Sequence, residues 1–160
     1  MISTADLVKL TQFLVKAKIV TYAAGNDEYA VTPVLGGSHQ LEYLDGNLLY
    51  RDIYYGGLHF IGMETVFQDQ QPFWGMSYYG GVLPDSDDLH IAGMSPVLKA
   101  ALREVPRNAP YRGPKSFRMG DYIYKNKTHG DIMSFHGTEI IRIQGQAIYQ
   151  LRYSGGVVKL

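Results

Sequence analysis

FIGMETV, residues 60–66, returns 75 positions later as FHGTEII, residues 135–141. Alternation of a strand puts Phe60, Gly62, Glu64 and Val66 on one face, and Phe135, Gly137, Glu139 and Ile141 on one face of the second phrase. In both, a carboxylate stands where the alternation asks for an apolar side chain. The match runs on past the phrase itself. Between residues 60–82 and 135–157, Phe60, Gly62, Glu64, Gln71, Tyr78, Gly80, Gly81 and Val82 meet identical residues. Eight identities in 23 positions, against roughly one or two by chance, point to an internal duplication. Upstream the offset becomes 74, where Gly46, Tyr50 and Gly56 meet Gly120, Tyr124 and Gly130. A single-residue insertion in a loop accounts for the change.

Helices are expected at the start of each copy. STADLVKLTQFLVKAK spaces Leu7, Leu10, Phe13, Leu14 and Ala17 helically, with Ser3 and Asp6 as its N-terminal cap. In the second copy Ser95-Pro96 reads as N-cap and first turn before VLKAALREV, and Pro106 ends the helix. Strand-like segments follow each helix: HQLEYLDG, NLLYRDIYYGG, LHFIGMETVF and PFWGMSYYGG, then SFRMGDYIYKNK, DIMSFHGTEIIRI and QAIYQLRYSGG. The expected fold is α+β, a single domain over 1–160 built from two repeats, about 3–83 and 92–160, each a helix plus about four antiparallel strands related by a pseudo-twofold axis. Residues 84–95 read as the connection between copies and 23–38 as an irregular, glycine-bearing excursion.

Composition limits the function classes. The chain has 15 basic and 15 acidic residues without a run of like charge, which predicts neither a nucleic-acid nor a membrane partner. Cysteine is absent, so disulfide and thiolate chemistry are excluded, and with no basic-then-apolar leader the expected location is cytoplasmic. Thirteen tyrosines and 18 glycines shift the weight towards strands with a wet face and tight turns.

Face parity pairs the set Phe60, Glu64, Val66 with Trp74, Met76, Tyr78, and places Glu64 opposite Trp74; the same rule places Glu139 opposite Tyr149. Two readings stay open. Both acids accept hydrogen bonds that hold the copies together, or both are polar anchors of an aromatic cavity between the copies. In the second reading Trp74, Tyr78, Tyr149 and Tyr153 stack on a ligand and Arg112, pinned in APYRGP (109–114), closes one edge. Arg112 also reads as a buried partner for one of the acids. Paired carboxylates about 5–9 Å apart serve glycosidases, but nothing in the pattern separates an acid from a base. The five histidines show no ligand spacing, so no metal and no cofactor is implied, and neither a P-loop, a Rossmann fingerprint nor a nucleophile elbow occurs. AKIVTYA (17–23) brings Lys18 and Tyr22 to the same rim, although a lysine at a helix end is ordinarily solvated.

Together FLVKAKIVTYA, YYGGLHFIGMETVF, PFWGMSYYGG, APYRGP and FHGTEI resemble an uncharacterised bacterial domain family, a domain of unknown function sometimes fused to a helix-turn-helix module. The resemblance spans nearly the whole chain and brings no activity and no functional residues. Where the family pattern has Trp and Asn, this chain has Phe67 and Ser77, so neither side chain takes a role from it. Fusion to a DNA-binding module implies a sensory, effector-binding task. The duplicated helix-and-sheet plan also resembles gyrase-inhibitor-like domains, which hold small molecules in an aromatic, acid-containing cleft between copies.

The expected function is non-catalytic binding of a small aromatic or cationic ligand, with a nucleotide as a further candidate through Arg112. The alternatives are a small hydrolase or isomerase using Glu64 or Glu139 as acid or base, and an interaction module whose Tyr-rich sheet face binds a protein or a second copy as a homodimer.

Overall fold

The computed structural model describes residues 3–21, 27–84 and 86–158. Helix α1 (Thr4–Val20) precedes strands β1 (His39–Asp45), β2 (Leu48–Gly56), β3 (His59–Gln68) and β4 (Gln71–Val82). Helix α2 (Asp88–Arg103) precedes β5 (Ser116–Met119), β6 (Tyr122–Asp131), β7 (Ser134–Ile143) and β8 (Gln146–Val157). The eight strands form one sheet in the order β1-β2-β3-β4-β8-β7-β6-β5. Every neighbouring pair is antiparallel, including β4 with β8 at the centre. The class is α+β, mostly sheet.

Local chemistry sets these elements. Ser3 and Asp6 form a reciprocal capping box, in which the Ser3 hydroxyl accepts from the Asp6 amide and the Asp6 carboxylate accepts from the Ser3 amide. The β3–β4 and β7–β8 hairpins turn on two residues each, Asp69-Gln70 and Gln144-Gly145, all four at positive φ. Such turns match the twist of the strands they join.

The turns correct the expected register. Val66, not Glu64, faces Trp74, and Glu64 faces Met76; likewise Ile141 faces Tyr149 and Glu139 faces Leu151. A two-residue turn followed by a bulge, at Val66/Phe67 and at Ile141/Arg142, slides each pairing by two residues. A slide of two preserves the face, so both acids still point inward.

The second helix begins earlier than Ser95. Asp87 is its N-cap, accepting from the His90 amide, and Pro96 lies inside the helix. Most of the expected connection at 84–95 is therefore helical. Burial of Met94, Val97, Leu98, Ala101 and Leu102 holds this helix through the interior proline, which costs about 3 kcal/mol in helix propensity.

One sheet face carries the core. Leu48, Tyr50, Phe60, Val66, Trp74, Met76, Tyr124, Ile141, Tyr149 and Leu151 are buried under Leu10, Phe13, Leu14 and Ala17 of α1 and the apolar stripe of α2. The segment after α2 completes the cover, with Tyr111 stacked on Phe135 at 3.8 Å and 9°. The other sheet face has no element packed on it among the described residues: Ile61, Met63 and Tyr79 are 55%, 55% and 61% exposed there. Among the described residues no helix is long and apolar enough to cross a membrane.

Candidate functional site

The glycine of each repeated phrase has a steric task. Gly62 on β3 pairs with Tyr78 on β4, and a Cβ at Gly62 would lie 2.3 Å from the Tyr78 hydroxyl oxygen. The bare glycine lets the Tyr78 ring lie across β3 and donate to Asp52 Oδ1 on β2 at 2.7 Å. In the other half Tyr153 crosses Gly137, where a Cβ would meet its hydroxyl at 2.2 Å, and donates to Asn126 Oδ1 at 2.8 Å. Asp52 and Asn126 occupy corresponding positions on β2 and β6; one ionises and the other does not.

The two glutamates are compensated differently. Glu139, fully buried, accepts from Arg112 Nη2 at 2.6 Å and Nε at 3.2 Å, from the Tyr124 hydroxyl at 2.6 Å and from the Tyr149 hydroxyl at 2.8 Å. This paired, hydrogen-bonded arrangement is what a buried carboxylate needs to stay charged. Glu64 is held by Lys18, whose ammonium also donates to the Tyr111 carbonyl at 2.8 Å. Lys18 is 6% exposed, so the expectation of a solvated helix-end lysine is corrected. It sits on the inner stripe of α1, one position beyond Ala17. Its ammonium lies 5.9 Å from the Trp74 ring centre, and the Arg112 guanidinium 5.6 Å from that of Tyr78.

Asp52 accepts from the Tyr78 hydroxyl and forms no ion pair among the described residues, with Lys18 and Arg112 attracting its charge from further off. Burial, followed by the neighbouring Glu64 charge, pushes its carboxyl up to about 7 despite the Tyr78 hydrogen bond. Burial pulls the Lys18 ammonium below its usual range against the opposing attraction of Glu64. Burial, then nearby carboxylates, hold the Tyr50, Tyr78 and Tyr124 hydroxyls well above the ordinary phenol range, and of these Tyr78 and Tyr124 donate as neutral phenols to Asp52 and Glu139. The interior thus gathers three carboxyl groups, Asp52, Glu64 and Glu139, around two cations, Lys18 and Arg112.

The open space lies beside this cluster rather than within it. The cavity touching Lys18, Glu64, Tyr111 and Arg112 holds about 10 Å³, the room of one water. A cleft of about 500 Å³ opens between α2 and the first half of the sheet, lined by His39, Tyr54, Phe60, Tyr78, Met94 and Leu98 among others. His39 and Tyr54 stack there at 5.0 Å and 22°. At the corresponding place in the second half, a cleft of about 610 Å³ runs between residues 106–115 and β6, past Tyr111, Asn126, Thr128 and Gly130.

Of the seven residues singled out from sequence, all lie on the inner side, and Tyr78 is the one that lines the 500 Å³ cleft. Glu64 and Arg112 border the one-water cavity. Trp74, Tyr149 and Glu139 are 0% exposed, and Tyr153 is spent on Asn126 and Thr128. Tyr22 lies outside the described residues. Sequence reasoning missed Asp52, His39, Tyr54 and the inward role of Lys18. The 74-residue offset that matched Tyr50 to Tyr124 carries two positions further to Asp52 and Asn126, and was the available signal.

No curated protein and no solved structure matches the chain. A family model does match, over residues 52–158, which takes in the Asp52 position, both glutamates, Arg112 and the central β4–β8 pair. The chain belongs to the DUF5680 family, a domain of unknown function.

Proposed function

We propose that this chain is a non-catalytic binding domain for a small aromatic cation, received in the cleft beneath α2. The observation that carries the reading is Asp52. It is a buried carboxyl that forms no ion pair among the described residues, one hydrogen bond behind the Tyr78 ring that lines the cleft. His39, Tyr54 and Tyr78 supply flat faces, Phe60, Met94 and Leu98 an apolar wall, and the excess of three buried carboxyls over two buried cations behind them a reason to prefer positive charge. Glu64 and Glu139 act behind this site, fixing the surrounding charges. Catalysis at Glu64 would need substrate where about 10 Å³ is open, and Glu139 is fully buried, which disfavours the enzyme reading.

We also infer that the two halves arose by duplication and share the plan of gyrase-inhibitor-like ligand-binding domains. The equal spacing of the bulges, the two-residue turns and the tyrosine-over-glycine crossings supports this.

Thermal unfolding in the presence of ethidium and tetraphenylphosphonium, with an anionic aromatic such as fluorescein as control, tests the binding. The two cations are expected to raise Tm, more above pH 7 than below it, and Asp52→Asn to remove most of the shift. Equal or absent shifts for all three compounds would exclude a cation-selective cleft.

A further inference from the structure

The total charge is zero, yet the fold sorts the charges onto different faces. Paired residues in a sheet share a face, so the register draws rows across the exposed side. One row runs Lys127, Thr138, Arg152, Tyr79, Ile61, Tyr55. A second runs His129, His136, Ser154, Ser77, Met63. Lys125 pairs with Ser116 and Ile140, and Arg118 and Arg142 flank Ile123.

Arg118, Lys125, Lys127, Arg142 and Arg152 are all exposed on this face. Between Ser116 and Val157 the acidic residues are Asp121 and Asp131, at hairpin turns, and Glu139, which is turned inward. The outer face of β5–β8 is therefore basic without an opposing carboxylate.

Aromatic rings adjoin the cations. Tyr79 is 61% exposed directly beside Arg152, and the His129 and His136 rings stack at 5.2 Å and 21°. Tyr79, His136, Thr138 and Arg152 border a shallow depression of about 400 Å³ across the β4–β8 junction. A cationic sheet with exposed aromatic rings combines phosphate attraction with base stacking. A duplex keeps its base faces to itself, and an anionic bilayer or acidic peptide supplies charge without ring faces.

We propose that the outer face of the sheet binds single-stranded nucleic acid, with Lys125, Lys127 and Arg152 on phosphates and Tyr79 stacked on a base. This site is separate from the cleft beneath α2 and does not depend on it.

Fluorescence anisotropy with labelled 12-nucleotide oligo(U) and oligo(dT) tests it, set against a duplex of equal length, polyglutamate, and phosphatidylserine vesicles. Single strands are expected to bind best, and affinity to fall roughly a hundredfold from 50 to 200 mM salt if about five phosphates are neutralised. Tyr79→Ala and the triple variant Lys125→Glu, Lys127→Glu, Arg152→Glu are each expected to weaken binding about tenfold or more. Because these side chains are exposed, unchanged thermal unfolding of the variants separates lost binding from lost folding. No binding at 50 mM salt overturns the proposal. So does equal binding of duplex, polyglutamate or vesicles with Tyr79→Ala silent, which would leave a surface for polyanions at large or for an acidic partner.

Discussion

Tyr78 and Tyr153 face each other across the central β4–β8 pair, and their rings leave in opposite directions, each over a glycine of the neighbouring strand. One hydroxyl ends on Asp52 and the other on Asn126. At this position the two halves differ by a carboxylate oxygen against an amide nitrogen. That difference puts a titratable group behind one cleft alone.

The crossings make Gly62 and Gly137 sensitive. An alanine at either must displace a tyrosine ring; at Gly62 the Tyr54 Cβ, 2.7 Å from the added carbon, blocks the alternative shift. Gly62→Ala and Gly137→Ala are each expected to cost about 1–3 kcal/mol, as overpacking does. Urea unfolding measures this, and an alanine variant as stable as the parent would show that the rings have another path.

Asp52 predicts a pH dependence of stability. Its folded carboxyl titrates at about 7, above the usual carboxylate value, so the native state binds more protons than the unfolded chain at intermediate pH. The stabilising contribution of the protonated form is complete below pH about 4 and is lost as pH rises to about 7, a change on the order of a few kcal/mol. Asp52→Asn removes the titration. Unfolding free energies of parent and variant between pH 4 and 8 are expected to converge at low pH and to separate above neutrality in favour of the variant.

Arg112 and Glu139 are expected to behave as a unit. Arg112→Met leaves a fully buried carboxylate with tyrosine hydroxyls but no cation, and the cost expected is about 3–5 kcal/mol. Combining it with Glu139→Leu is expected to restore part of the loss, because the stranded charge is gone. A double-mutant cycle by chemical denaturation gives the coupling; strict additivity would contradict the pairing.

Lys18→Met strands Glu64 in the same manner, with one difference. The lost ammonium also released the Tyr111 carbonyl, so the loop stacked on Phe135 is expected to loosen. Hydrogen exchange of amides near Tyr111 is expected to rise more in Lys18→Met than in the Glu64→Gln variant, which keeps the lysine-to-carbonyl bond.

What could be read from residue order was the local and the periodic. Alternation through FIGMETV and FHGTEII assigned strands, faces and the inward direction of both glutamates, since side chains alternate whatever the strand pairs with. The N-terminal cap at Ser3 and Asp6 was legible because its cause lies within four residues. Register, the true start of α2 and the partners of the acids were not. Bulges slide a pairing without altering composition, Asp87 capped the helix ahead of a misleading Ser95-Pro96, and only packing showed that Lys18 faces inward. The basic outer face of β5–β8 in a chain of zero net charge likewise belongs to the tertiary structure, because net charge is a sum and a surface is a placement.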